Sequence, residues 1–176
     1  RRSSDLEGEF IIGVVTKSRN SEYWMSVNAG MEKAAKEMNV KTVILSPDTE
    51  TDKKIQKKMI RDLLKMKVDA LAVSPIDSND NQDYYLQAQE LEIPVYSYDT
   101  PIADVEVPYI GIDNEKVGYE LAKVLAEEMG HKGNIAIIAG SREQTSHEKR
   151  IAGFEKYMEQ EPDMHIEVEK SGRSEE

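Results

Sequence analysis

The sequence predicts an α/β protein of βαβ units around parallel sheets, in two lobes of which the second is incomplete. Three observations carry this. Short apolar runs such as 10–15 (FIIGVV) and 134–139 (NIAIIA) read as strands buried on both faces. Between the strands lie segments with apolar residues at helical spacing, as right-handed βαβ crossovers require. Strand after strand ends in a polar or Ser-Pro turn, the place where an open parallel sheet binds ligands.

Residues 1–9 are polar and read as a tether. After the strand at 10–15 comes a polar loop over 16–21. A helix follows with the stripe Trp24, Val27, Met31, Ala35 and Met38. Strand 43–45 stops at Ser46-Pro47-Asp48. The next helix opens near Thr51, a candidate cap, and shows Ile55, Met59, Leu63 and Met66 on one face. Strand 69–73 stops at Ser74-Pro75. A helix through Tyr85, Ala88 and Leu91 leads to the strand at 93–98.

That strand ends at Asp99-Thr100-Pro101, where proline halts ladder pairing. An acid at a strand's end is a helix cap or a site residue. No helical pattern begins until after Asn114, so Asp99 reads as ligand-facing. The polar link 103–106 then reads as a crossing, with the first lobe at 10–103, a hinge at about 103–107 and the second lobe at 104–176. The strand at 107–112 is expected to open that second lobe. A helix follows with Val117, Leu121, Val124 and Leu125 inward and Gly130 as its stop. Strand 134–139, a helix carrying Ile151, Phe154 and Met158, and a strand at 165–168 complete the pattern. An unpaired buried edge of so small a sheet favours self-association there.

Among the 176 residues, 23 Lys and Arg stand against 34 Asp and Glu, a net charge of −11. This argues against nucleic acid and anionic membrane surfaces as partners. With no cysteine there is no disulfide, thiolate or Cys-ligated metal, which fits an export compartment or the cytoplasm alike. No stretch reads as a signal peptide or transmembrane run. Nucleotide-binding, zinc-protease and serine-hydrolase motifs are missing, and His131, His147 and His165 lack metal-ligand spacing. His131 suits a helix carboxyl end. No enzyme, metal or cofactor is expected.

Three loops at strand carboxyl ends carry candidate site residues. In the first, 17–24, polar groups adjoin Tyr23 and Trp24, a mixture that suits a polyol's hydroxyls and C–H faces. Trp24 either packs in the core or meets ligand, and Tyr23 lies off the core stripe. Asp99 and Thr100 form the second loop. In the third, Thr145, His147 and Glu148 either face a cleft or are exposed at a helix start, and Arg150 fits a loop-holding role.

Strand one with the Asn20-x-x-Tyr23-Trp24 loop, MEKAAKEMNV, IPVYSYDTPI, YIGIDNEKVG and RIAGF together resemble the type I periplasmic solute-binding proteins, near their ribose- and xylose-binding branch. The resemblance runs from Phe10 to Val168. It implies a Rossmann-like, hinged, two-lobed clamp that closes on a small sugar or cyclitol and delivers it to a membrane permease of an ABC-type importer. It implies sugar contacts at Asn20, Tyr23 and Trp24, with Asp99 taking hydroxyls bidentately. His147, Glu148 and Thr100 complete the expected ligand-binding set. Thr100 and Glu148 stand where the ribose branch has arginines, which argues against ribose itself. The implied location is extracytoplasmic, periplasmic or lipid-anchored. A sugar sensor reporting to a membrane kinase and the effector core of a transcriptional regulator share this fold.

Overall fold

The computed structural model describes residues 10–171, so the tether expected at 1–9 lies outside the described residues. In chain order the elements are β1 (Ile11–Val15), α1 (Glu22–Met38), β2 (Lys41–Leu45), α2 (Lys53–Lys65), β3 (Ala70–Val73), α3 (Gln82–Glu90), β4 (Val95–Tyr98), β5 (Tyr109–Ile110), α4 (Asn114–Met129), β6 (Gly133–Ala139), α5 (Thr145–Met158) and β7 (Met164–Ser171).

Strands β1 to β5 form one parallel sheet in the order β2-β1-β3-β4-β5. Strand order reverses between β1 and β3, so the crevice at their carboxyl ends is the topological switch point. The sheet is wound on both faces. Val15, Leu71, Val73 and Val95 pack with α2 and α3 through Ile60, Leu63, Tyr84 and Ala88. On the opposite face Val14 and Tyr98 pack with Trp24, Val27 and Met31 of α1. Strands β6 and β7 form a second parallel pair, with Ile135 and Met164 packed on Ala122, Ala126, Phe154 and Tyr157 of α4 and α5. The expected α/β architecture is present, and the second sheet has two strands among the described residues.

Two expectations are corrected. The strand expected to open the second lobe is β5, and it pairs with β4 at the edge of the first sheet, Ser97 beside Tyr109. The expected crossing at 103–107 is also fastened to that sheet's surroundings. Ala103 N–H donates to the Ser78 carbonyl at 2.8 Å, and the Asp104 carboxylate accepts the Asn81 and Gln82 N–H groups at the start of α3. The chain leaves the first sheet only after β5, where Asp113 caps α4 by accepting the Lys116 N–H at 3.0 Å.

Two helix faces are also shifted from the expected ones. In α2 the buried row is Gln56, Ile60, Leu63 and Leu64, while Ile55 and Met66 are exposed. Gln56 is drawn in because its amide donates to the Thr16 and Ser74 carbonyls and accepts the Ile76 N–H, satisfying backbone groups that strand ends leave open. In α4 the buried row is Asn114, Gly118, Ala122 and Ala126, and Leu121 is 61% exposed. The small residues admit α5 at close range, which turns the larger apolar residues outward. Thr51 is not the cap of α2, whose N-cap position is Asp52. His131 follows α4 as expected, with Nδ1 3.0 Å from Glu161 Oε1.

Candidate functional site

The loops after β1, β3 and β4 meet the turn leading into α5, and Asp99 lies where they converge. Asp99 follows β4 with φ 60°, a left-handed conformation in which Thr100 N–H turns back to the Tyr98 carbonyl at 2.6 Å. Asp tolerates this region better than most residues, and such strain concentrates where side chains are aimed at a task. The Tyr109 hydroxyl donates to the Asp99 carbonyl at 2.9 Å and steadies the turn.

The carboxylate is heavily committed. Oδ1 accepts the Tyr23 hydroxyl at 2.7 Å. Oδ2 accepts Lys17 Nζ at 3.1 Å, Thr100 Oγ1 at 3.1 Å and Ser74 Oγ at 3.3 Å. A carboxylate has about four lone-pair positions, so only Oδ1 keeps room for a further donor. Burial, the largest influence on Asp99, pushes its pKa up. The Lys17 charge and the hydrogen bonds from Tyr23, Lys17 and Thr100 outweigh it and hold the group below the usual carboxylate range.

Lys17 is the residue that sequence reasoning passed over. It is 3% exposed, and its Nζ also donates to Thr100 Oγ1 at 2.5 Å and Gln144 Oε1 at 2.6 Å. The ammonium lies 5.7 Å from the Trp24 ring centroid, within cation–π range. Burial lowers its pKa, and the Asp99 charge opposes that. A lysine in a polar loop carries no sequence mark of burial when its partners lie 82 and 127 positions away.

The expected site residues divide. Tyr23 is 55% exposed, its ring edge on Trp24 at 5.0 Å and its hydroxyl on Asp99; burial of that hydroxyl and the Asp99 hydrogen bond push its pKa up to about 12. Thr100 is fully buried beneath it and within 3.2 Å of Ser146 Oγ. Trp24 is 2% exposed, with its indole N–H on Glu50 at 3.0 Å, so it is a wall of the cluster rather than an open platform. Asn20 points away, its side-chain amide donating to the Asp48 carbonyl at 3.2 Å. His147 is half-buried with Nδ1 3.0 Å from the Ser141 carbonyl, and burial lowers its pKa. Glu148 is exposed on α5. Arg150 ties α5 to α4 through Nε on Asn114 Oδ1 at 2.8 Å, and its positive charge acts on Tyr23, Tyr109 and Lys17.

The cluster offers hydroxyl, carboxylate and guanidinium groups beside two tyrosine rings, the equipment for an uncharged polyol. Among the described residues no group of three or more His, Asp or Glu is placed to hold a metal. None of the described helices is long and apolar enough to cross a membrane. A groove of about 390 Å³ lies on the second sheet and shares His147 and Arg150 with the candidate site, its other walls including Val117, Leu121, Ile137 and Ile138. Its walls are mostly apolar, and Ile138 on its rim is 86% exposed.

Residues 12–175 match a family described as a periplasmic binding protein domain. The chain is 28% identical over 159 residues to the ribose import binding protein of Bacillus subtilis, a match covering 90% of this chain and 52% of that protein. It is 26% identical over 156 residues to a probable HTH-type transcriptional regulator of Paenibacillus polymyxa, covering 87% and 44%. Among solved structures, a periplasmic solute-binding protein of an ABC transporter from Actinobacillus succinogenes with bound D-allose superposes with a TM-score of 0.85 at 28% identity, covering 92% of this chain and 59% of that one. The chain thus spans about half the length of the curated relatives it matches.

Proposed function

Since the chain belongs to the periplasmic binding protein domain family, we propose that it is the sugar-binding part of an extracytoplasmic, ABC-type importer component that performs no chemistry of its own. The observation that supports this reading best is the convergence on Asp99 of Lys17, Ser74 and Thr100 from three loops at carboxyl ends of the first sheet, joined by Tyr23 from the start of α1. Sugar hydroxyls would be taken by Asp99 Oδ1 and Arg150, with the Tyr23 ring against the C–H face. The hinge falls at 111–113, where the chain leaves β5 for α4. Relatives that bind ribose and allose support a small sugar or cyclitol as the ligand, and a permease would be the membrane partner.

A thermal-shift screen against pentoses, hexoses and cyclitols tests the reading. One sugar is expected to raise the Tm with concentration, equivalent to about 2.7 kcal/mol at a hundred times its Kd. No shift from any sugar, in this chain and in one extended to the relatives' full length, would overturn it. With the sugar identified, Tyr23→Ala is expected to weaken binding roughly tenfold, about 1.4 kcal/mol. Its Tm should stay near wild type because much of the ring is in solvent. Titration calorimetry showing unchanged affinity would remove Tyr23 from the site.

The match to a transcriptional regulator favours a second reading, the sugar-responsive core of a regulator. The gene segment upstream separates the two: a secretion signal and anchor support import, and a helix-turn-helix headpiece supports regulation.

A further inference from the structure

Arg150 is fastened to α4 at two points. At its backbone, a Cβ on Gly118 would stand 1.9 Å from the Arg150 carbonyl oxygen, so the two helices touch there main chain to main chain. At its head, Nε donates to Asn114 Oδ1 at 2.8 Å. Asn114 and Gly118 lie one helical turn apart and share the buried face of α4. Asn114 is 2% exposed, and its amide is held one way round. Nδ2 lies 3.4 Å from both the Ile112 carbonyl and the Tyr109 hydroxyl, which leaves Oδ1 for the guanidinium. A flipped amide would set N–H donors against Arg150, which has no acceptor. With Nε given to Asn114, the groups Arg150 offers a ligand are its two Nη amino groups. The charge so placed acts on Tyr23, Lys17 and His147 of the candidate site.

We propose that Asn114 is a positioning residue that aims the guanidinium of Arg150 into the candidate site. With its backbone and Nε both fixed on α4, the side chain keeps little rotamer freedom, so little ordering remains for a ligand to impose. Both anchors belong to α4, beyond the hinge at 111–113. The aim of Arg150 is therefore set within that half of the chain and does not depend on the angle between the two sheets. The inference rests on the sugar reading only for what the Nη groups meet, and the fixing of Arg150 stands or falls separately.

The Nε proton of Arg150, followed by NMR, tests the positioning. In Asn114→Ala its exchange with water is expected to quicken roughly tenfold or more, as the loss of one hydrogen bond to a charged group implies. Asn114→Asp, which keeps an oxygen at that place, is expected to restore slow exchange. Backbone amides of α5 should keep their protection in both variants. If Asn114→Ala does not fold, Asn114→Ser, whose side chain falls short of Nε, decides. A second arm measures D-allose, the sugar bound by the solved relative, by titration calorimetry. Asn114→Ala is expected to weaken its binding about tenfold, and to change nothing once Arg150→Met has removed the guanidinium. Unchanged Nε exchange in Asn114→Ala would overturn the proposal. An equal loss of affinity with and without Arg150 would overturn it too, because Asn114 would then act on binding by another route. Failure of D-allose to bind the wild-type chain would count against the sugar reading alone, and Nε exchange would then decide.

Discussion

Asp99→Ala is expected to destabilise the folded chain by about 3–5 kcal/mol, the range for breaking a buried ion pair from one side. Read from sequence, Asp99 faces a ligand and its loss would chiefly weaken binding. In the structure it neutralises an ammonium that is almost wholly buried and accepts three hydroxyls besides. Truncation leaves Lys17 charged and dry, with Thr100 and Gln144 as its remaining acceptors. Urea denaturation measures the loss, and a change below about 1 kcal/mol would show that the pair is solvated and weak. Asp99→Ala combined with Lys17→Met should recover much of the loss, since the second change removes the orphaned charge. The pH dependence has a definite sign. The folded pKa of Asp99 is lowered, so its stabilisation is full above the pKa of the unfolded carboxylate, about 3.9, and disappears as pH falls through the lower folded value. The gap between wild type and Asp99→Ala should therefore close below about pH 4.

The strands and helices were legible because each strand is short, apolar and punctuated, and each helix repeats at its own period. The place of Asp99 at the carboxyl end of β4 was legible for a related reason, an acid ending a strand with no helix behind it to cap. What could not be read depends on partners distant in the chain. Lys17 looks like any loop cation until Asp99 and Gln144 fold around it. Strand β5 has two residues, too few for any period to show which sheet it joins. Asn20 and Glu148 sit at positions that resemble ligand contacts, but local geometry sends one to the Asp48 carbonyl and the other to solvent. The buried face of α4 was hidden because it is made of glycine and alanine, while the eye follows Val117, Leu121 and Val124. Val117 and Leu121 line the open groove, and Val124 is exposed.

That small-residue face has a consequence of comparable size: Gly153→Ala is expected to cost about 3 kcal/mol or more, at the upper end of overpacking effects. A Cβ on Gly153 would stand 1.9 Å from the Glu115 carbonyl oxygen, and one on Gly118 would stand 1.9 Å from that of Arg150. Each glycine faces the backbone of the other helix, so no rotamer change relieves the clash, and α4 and α5 must separate. Separation would loosen Ala122, Ala126, Phe154 and Tyr157 in their shared core, along with the Arg150–Asn114 hydrogen bond. For a chain of this length the loss corresponds to roughly 6–12 °C in Tm. Gly30→Ala in α1 is the matched comparison, since a Cβ there meets nothing within 4 Å. It should stabilise the helix by up to about 1 kcal/mol, as alanine does in an exposed helix interior. Equal melting temperatures for Gly153→Ala and wild type would mean that the two helices cross more loosely than this. In that case Gln144 and Arg150, which α5 holds in place from that same crossing, would lose their fixed reach toward the Asp99 cluster.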